Sequence, residues 1–459
     1  MAGESSGPVR NGGAADGGPA SQQGMRRQNL ALVLGTLAAH GPASRAQLAD
    51  RTGLTRATAG SLVGELTEAG LVADNGLAPN GRAGRPGALL AVNRTGPAGL
   101  GLEVGVGHLG GCLIDLRGAA RCWVRVEANN RGRSPEEVVA QLAAVARRVI
   151  GEGAAQGLHP AGAVLAVPGL VGTPGVVEHA PNLGWHKVPI VDLLREQLPE
   201  LAQGAPLEVE NEANLGALAE LWNEGGAADF VHVSAEAGIG AALVVGGRLL
   251  RGVRGFAGEL GHVPVHPDGP LCACGAHGCL EQYAGEEAVL RAAGMPDVAG
   301  ILSWADGPES AHDHAGGDAR PPAGPRSSGP PTDPVQALAG RATSGDERVR
   351  GALDQAGGAM GTALAGAVNL LDPAVVILGG AYADLSPWLL PGMRRELAAR
   401  VTVRAWEADS LVVSRLGRRG PLLGAALSTV RRIIEDPWQY SQRRAQGSLG
   451  PILLATPTA

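Results

Sequence analysis

Three of the chain's five cysteines fall in one short stretch, CACGAHGCLEQ, residues 272–282. No other feature limits so tightly what its segment can fold into. Disulfide pairing is the first alternative to weigh. The N-terminus, MAGESSGPVRNGGAADGG, has no basic stretch followed by an apolar one, as a secretory signal would, and no run approaches about 18 apolar residues. The chain is therefore expected to be cytoplasmic, where thiols stay reduced and clustered cysteines serve as metal ligands or catalytic groups. Cys272, Cys274 and Cys279 follow a C-x-C-x4-C spacing, and Gly275 and Gly278 let a short loop gather three thiolates around one ion. Zinc is the expected ion, and a closed tetrahedral site needs a fourth ligand. His262, His266 and His277 are the candidates, and spacing alone does not choose among them.

At 459 residues the chain has room for about three domains, and a hydrophobic content of 44% marks it as globular. The formal net charge of -6 would argue against nucleic acid if it were evenly spread. It is not. Between Arg26 and Arg94 eight arginines face Asp50, Glu65, Glu68 and Asp74, a local excess of +4 attached to an acidic remainder. A small basic segment on an acidic body is the footprint of a separate nucleic-acid module. Three stretches carry no apolar period and are expected to be unpacked: 1–24, the Gly/Pro/Ser-rich insertion 305–333, and a C-terminal tail, 436–459, that Trp438 and Tyr440 could dock.

The basic segment, 25–95, reads as a winged helix-turn-helix. RRQNLALVLGTLAA carries apolar residues at helical spacing. Ser44 and Gln47 form a capping box for SRAQLADRTG, which Gly53 ends. Thr55 caps a third helix whose Ala59, Leu62, Val63 and Leu66 turn inward and which Gly70 stops. Two short helices joined by a glycine turn place Arg45, Thr55, Arg56, Thr58 and Ser61 for contact with base edges or phosphates in a major groove. The following ADNGLAPNGRAGRPGALLAVN reads as a wing. Arg82 and Arg85, flanked by glycine and proline, are slim and extended enough for a narrow minor groove.

From Leu100 strands and helices alternate. LGLEVGVGHLGGCLIDLRG reads as a hairpin, PEEVVAQLAAVARRVIGEG as an amphipathic helix and GAVLAVPGLVG as a buried strand. FVHVSAEAGIGAALVVGGRLL and AVVILGG repeat the theme, as expected of an α/β fold built twice.

The series GIGAALVVGGRLLRGVRGFAGELGHVPV, CACGAHGCLEQYAG and NLLDPAVVILGG resembles the ROK family of repressors, open reading frames and kinases. SRAQLADRTGLTRATAGSLVGELTEAGLV is similar to the winged helix of its repressor branch, which regulates xylose, glucose and N-acetylglucosamine genes. The resemblance implies a two-lobed, actin-like (sugar-kinase, ribonuclease H-like) body over 96–435 with sugar in the cleft between the lobes. It also implies His262 as the zinc histidine beside Cys272, Cys274 and Cys279, one structural Zn2+ per chain, and sugar contacts from Gly169, Asn182, Asn211, Glu212, Glu259, His262 and Glu281.

Measured against the family's kinases, three positions depart. Glu212 stands where they carry a catalytic aspartate, so the base is displaced by about one methylene. EVGVGHLGG, with Glu103, replaces their Asp-x-Gly-Gly-Thr phosphate turn, and Ala237 replaces the threonine of the second phosphate loop. The expectation is a sugar-responsive transcriptional regulator, a repressor of carbohydrate uptake or catabolism genes, with no catalytic residue. It would bind operator DNA as a homodimer or homotetramer. The competing reading is an ATP-dependent sugar kinase with a DNA-binding appendage.

Overall fold

The computed structural model describes residues 22–77, 88–172, 175–202, 205–223, 226–296 and 333–446. The insertion 305–333, apart from Asp333, and the wing arginines Arg82 and Arg85 lie outside the described residues. The chain divides into two compact units, Met1–Arg94 with Arg431–Gly447, and Thr95–Val430.

In the first unit, α1 (Gln22–His40), α2 (Arg45–Thr52) and α3 (Arg56–Glu68) are followed by β1 (Val72–Leu77) and β2 (Ala88–Val92), an antiparallel ribbon pairing Val72 with Val92 and Leu77 with Ala88. The local rules read from the sequence are the ones at work. Ser44 accepts from the Gln47 backbone while the Gln47 side chain accepts from the Ser44 backbone, and Gly53 closes α2 at φ 71°. Thr55 caps α3. Ala59, Leu62, Val63 and Leu66 are buried with Leu30, Val33, Leu34, Leu37 and Leu48. At roughly 1.5–3 kcal/mol for each large side chain withdrawn from water, this small core is what holds three short helices together.

Two sequence expectations need correction here. Helix α1 begins at Gln22, inside the segment 1–24 read as an unpacked tail. The segment 436–459 is not a tail over its first ten residues, because Pro437–Ala445 is a helix with Asp436 as its N-cap and with Pro437 and Tyr440 buried. Its apolar residues are few, so no period announces it; what orders it is packing against α1, which lies about 400 residues away in sequence.

The second unit repeats one design. β3 (Gly96–Val104), β4 (His108–Asp115) and β5 (Ala120–Glu127) form an antiparallel meander, after which α4 (Pro135–Ala154) returns the chain to β6 (Leu158–Val167), parallel to β3. A small sheet follows, β7 (Leu170–Gly172), β8 (Val176–Ala180) and β9 (Trp185–Val188), then α5 (Ile190–Gln197), α6 (Pro199–Ala202) and β10 (Leu207–Asn211), parallel to β6. The first sheet therefore has the order β10-β6-β3-β4-β5. After α7 (Glu212–Trp222) the pattern recurs. β11 (Phe230–Ala235), β12 (Ile239–Val245) and β13 (Arg248–Leu249) form a second meander, and β14 (Val375–Gly380) and β15 (Leu411–Val413) add parallel strands in the order β13-β12-β11-β14-β15. Each sheet has its own core, one around Leu102, Leu142 and Leu165 beneath α4. The other, around Val233, Leu353, Leu364 and Tyr382, is covered by the helix Glu347–Leu371. Leu215 of α7 and Ala425 of the helix Gly420–Glu435 bury against Val164 and Ala166.

Candidate functional site: a cleft in the α/β unit and a recognition helix

A cavity of about 230 Å3 opens in the second unit, lined from the first lobe by Gly169, Asn182, Asn211 and Glu212 and from the second by Glu236, Gly238, Glu259, His262 and Glu281. All seven sugar-site positions expected from the sequence therefore meet at one place. Backbone constraints explain several of them. Gly169 has φ 101°, and a Cβ there would lie 2.3 Å from the His179 carbonyl oxygen, so no side chain fits. Asn211 caps α7, its Oδ1 accepting from Ala213 N (2.8 Å) and Asn214 N (3.2 Å), while its Nδ2 donates to Gly169 O at 2.9 Å. Its side chain thus ties Gly169 to the start of α7 and sets Glu212 at the cleft floor. Glu281 accepts from the Ile239 amide at 2.8 Å, and both Glu281 and the Asn182 amide lie close over Gly238.

The cleft is strongly acidic. Burial, and then the neighbouring carboxylates of Glu236 and Glu103, push the Glu212 carboxyl up to about 8. Although Glu212 is partly reached from the cleft, a neutral acid, able to donate a hydrogen bond, is the favoured form at neutral pH. Glu259 is also raised, chiefly by burial. Glu236 is the lining carboxylate that sequence reasoning passed over. The signal was present, a carboxylate next to Ala237 in the β11–β12 turn, but only the tertiary structure places it across the cleft from Glu212.

The β3–β4 turn has a different character. The His108 ring packs on Gly105, and its Nε2 lies 3.4 Å from Glu103 Oε1, with both residues buried. Burial would lower the His108 pKa, but the Glu103 carboxylate overrides it and the net shift is upward. Ion pairs also cross between the lobes: Arg131 lies 3.6 Å from Glu286 and 3.4 Å from Glu287, and Arg125 lies 4.0 Å from Glu236.

Beside the cleft, the ligand atoms of His262, Cys272, Cys274 and Cys279 all lie within 4.8 Å of one another. Cys272 Sγ is 3.7 Å from His262 Nδ1 and Cys274 Sγ is 3.6 Å from Cys279 Sγ. These separations match the edges of a tetrahedron whose metal–sulfur bonds are about 2.3 Å, so the cluster can hold a metal ion. Of the other histidines, His277 is bonded to Gly269 O at 3.1 Å and His266 packs on Tyr283. The local fold brings the thiols together through bridges pairing Pro264 with Cys279 and Leu271 with His277.

In the first unit Arg45, Thr55, Arg56 and Ser61 are exposed and Thr58 is half-buried, all at or near the N-terminal ends of α2 and α3. The Thr55 and Thr58 hydroxyls lie 2.9 Å apart and Thr55 also caps the helix, so part of their hydrogen-bonding capacity is used locally.

A winged helix-turn-helix joined in one chain to a twice-built α/β body with an acidic cleft and a thiol-rich loop defines a class: DNA-binding proteins built on a sugar-kinase type of body. The chain belongs to the ROK family, which it matches over residues 99–431, and residues 24–83 match the MarR family. It is 28% identical over 422 residues to a xylose repressor of Bacillus subtilis, covering 91% of this chain and 98% of that one. It is also 27% identical over 341 residues to a glucokinase of Streptomyces coelicolor, covering 71% and 96%. Among solved structures, a ROK family transcriptional regulator described as a homologue of the Escherichia coli MLC protein shares the fold at a TM-score of 0.68 and 23% identity, covering 91% of this chain and 99% of that one. A ROK family glucokinase from Streptomyces griseus, in complex with glucose and AMPPNP, aligns at a TM-score of 0.56 and 26% identity, covering 72% and 98%. No helix among the described residues is long and apolar enough to cross a membrane.

Proposed function

We propose that this protein is a sugar-responsive transcriptional repressor. Operator DNA meets Arg45, Thr55, Arg56, Thr58 and Ser61, with Arg82 and Arg85 reaching the minor groove, and an uncharged sugar occupies the cleft. The observation that carries the reading is the composition of that cleft in a chain that also carries a helix-turn-helix. Its described lining holds four glutamates and no lysine or arginine, a surface suited to sugar hydroxyls and hostile to the phosphates of a nucleotide. Glu259, Glu281, His262 and Asn182 supply donors and acceptors to the hydroxyls, the neutral Glu212 donates from the floor, and Gly169, held by Asn211, leaves room for the ring.

His262, Cys272, Cys274 and Cys279 hold one zinc ion, which in its bound state pins the loop. Glu259 lies three positions before the first ligand and Glu281 two after the last, so ordering the loop orients both carboxylates. Phosphoryl transfer is not expected, because Glu212 is an extended and largely neutral base and the β3–β4 turn is filled by the Glu103–His108 pair. Like other helix-turn-helix proteins, the chain would pair to match two half-sites.

The test is fluorescence anisotropy at fixed salt on a duplex selected by the protein from a random-sequence library, titrated with a sugar panel led by xylose and glucose. One of these should shift DNA affinity by roughly 5 to 150-fold, the usual range of allosteric coupling. Glu259→Gln should remove the shift while leaving sugar-free DNA binding within about twofold. A coupled assay with ATP and the same panel separates the competing reading: sugar phosphorylation that depends on Glu212 would make the protein a kinase.

A further inference from the structure

Of the four side chains gathered beside the cleft, Cys274 stands apart. Cys272 and Cys279 are buried, whereas Cys274 is exposed. It also lines the cavity, together with Glu259, His262 and Glu281. One thiol therefore belongs to two places at once, the ligand set and the wall of the cleft. The chain's other two cysteines, Cys112 and Cys122, are buried in β4 and β5.

The loop that carries Cys274 has a fixed base and a free tip. At the base, Gly278 N donates to Pro270 O, and Val265 N and His266 N both donate to Gly278 O. Gly278 sits at φ 68°, where a Cβ would overlap the His266 carbonyl, so this end has no room to shift. Cys272 N donates to Ala276 O and Gly275 N to Cys272 O, which closes a tight turn. At the tip the surroundings are open: a Cβ on Gly275 would meet nothing within 4 Å. Cys274 Sγ lies 3.6 Å from Cys279 Sγ. A disulfide needs about 2.05 Å, so the tip has to move inward by roughly 1.5 Å. A bridge to Cys272 would close over the single residue Ala273, too tight a ring for relaxed disulfide geometry.

We propose that Cys274 is an oxidation site for hydrogen peroxide and that Cys279 is the thiol that resolves it. The Cys274 thiolate attacks one peroxide oxygen, the O–O bond breaks, hydroxide leaves and Cys274 becomes a sulfenic acid. The Cys279 thiolate then attacks the Cys274 sulfur, the S–O bond breaks, and a second hydroxide leaves as the S–S bond forms. Two thiolates are oxidised by two electrons and the peroxide is reduced to two hydroxides. The bridge removes two of the four groups that can hold a metal and draws Cys274 away from the cleft wall. A sugar in the cleft covers the same thiol, so sugar binding and oxidation oppose each other: bound sugar shields Cys274, and the bridged loop no longer orients Glu259 and Glu281. This coupling rests on the sugar and zinc readings above.

The experiment uses the full-length protein as purified. One equivalent of hydrogen peroxide is added per chain, and samples are denatured and capped with N-ethylmaleimide at intervals. Peptides are then mapped by mass spectrometry without reduction, while a colorimetric indicator follows zinc. Cys274 and Cys279 should be lost together as one bridged pair, with Cys112, Cys122 and Cys272 still capped and one zinc released per bridge. Xylose or glucose at ten times its Kd, measured by thermal shift, should slow bridging about tenfold, because only the empty cleft exposes the thiol. Dithiothreitol with zinc should restore the starting state. First oxidation at another cysteine would overturn the proposal, as would a Cys274 sulfenic acid, trapped with dimedone, that persists without a bridge. An unchanged bridging rate in protein whose thermal shift shows bound sugar would overturn the shielding. If neither sugar shifts the melting temperature, the sugar reading fails, and the order of cysteine loss still decides the oxidation site. A bridge formed with no zinc released would refute the zinc reading alone.

Discussion

The two lobes of the α/β unit have the same strand order, yet the turns between their first two strands do opposite things. In the second lobe the β11–β12 turn is open to the cleft: Glu236 and Gly238 line it, and the Ile239 amide is engaged by Glu281. In the first lobe the β3–β4 turn is filled from within, by a buried histidine packed on Gly105 and paired with Glu103. A duplicated architecture therefore does not imply a duplicated capacity for ligands. Strand order is a property of backbone pairing, whereas what a turn can hold depends on which few side chains occupy it. The difference leaves a cleft to which the β3–β4 turn contributes only Gly105 and Val106, rich in groups for hydroxyls and without a lysine or arginine among its described lining.

The thiol cluster lies on the same side, with Cys274 lining the cleft, and removing it should have the largest effect. Cys274→Ser is expected to lower metal, measured by atomic emission on freshly purified protein, from one zinc per chain to a small fraction. It should weaken sugar binding by roughly 100-fold or more, beyond the 10 to 100-fold usual for outer-shell changes. Sugar affinity that survives loss of the metal would show that the open side stands without its loop. Next in size, Glu281→Gln should weaken sugar binding by about 10 to 100-fold, the loss of a charged acceptor in a half-dry site. The Glu103→Gln variant on the filled side should leave sugar binding within about threefold. Equal losses at the two positions would erase the contrast between the turns.

Glu212 lies where both turns are felt, and pH sharpens the picture. Its folded pKa is raised, to about 8, above the unfolded value of about 4.3. The folded protein therefore holds a proton that the unfolded chain has released across that window, and stability falls as pH rises from about 4.3 to 8. The thermal midpoint of wild type should fall more steeply between pH 5 and pH 8 than that of Glu212→Gln, by a few degrees, on the order expected for one group in a large unit. Parallel profiles would mean that Glu212 is ionised and that the carboxylates of the two lobes do not repel one another. The smallest effect belongs to the ion pairs that span the lobes. Arg131→Ala should change sugar affinity by only about two- to fivefold, more at low salt than at high, because partly exposed pairs are weak and screened. A tenfold effect independent of salt would assign Arg131 a direct role in the cleft.

Legibility followed the range of the interactions involved. The capping box of Ser44 and Gln47, the Gly53 turn, the Thr55 cap, the inward face of α3 and the β3–β4 hairpin all appear where the sequence puts them, because each is set by residues within a few positions of one another. The C-terminal helix escaped the sequence reading because its order comes from Arg27 and Ala69, hundreds of positions away. Glu236 escaped for a similar reason: nothing local distinguishes a carboxylate in a turn from a solvated one, and its significance comes from Glu212 and Arg125 on other elements.

The sequence by itself determined the local grammar of this protein. It set the two helices and glycine turn of the reading head, the C-x-C-x4-C loop with its three thiols, and the alternation of strands and helices that marks an α/β fold. Each follows from backbone preference and spacing, which need no distant partner. Tertiary structure decided that His262, and neither His266 nor His277, stands with the thiols, that Glu236 shares the cleft with Glu212, and that α1 and the helix Pro437–Ala445 pack in one unit. Those outcomes depend on side chains far apart in sequence and brought within a few ångströms by packing, where burial and neighbouring charge then set their chemistry.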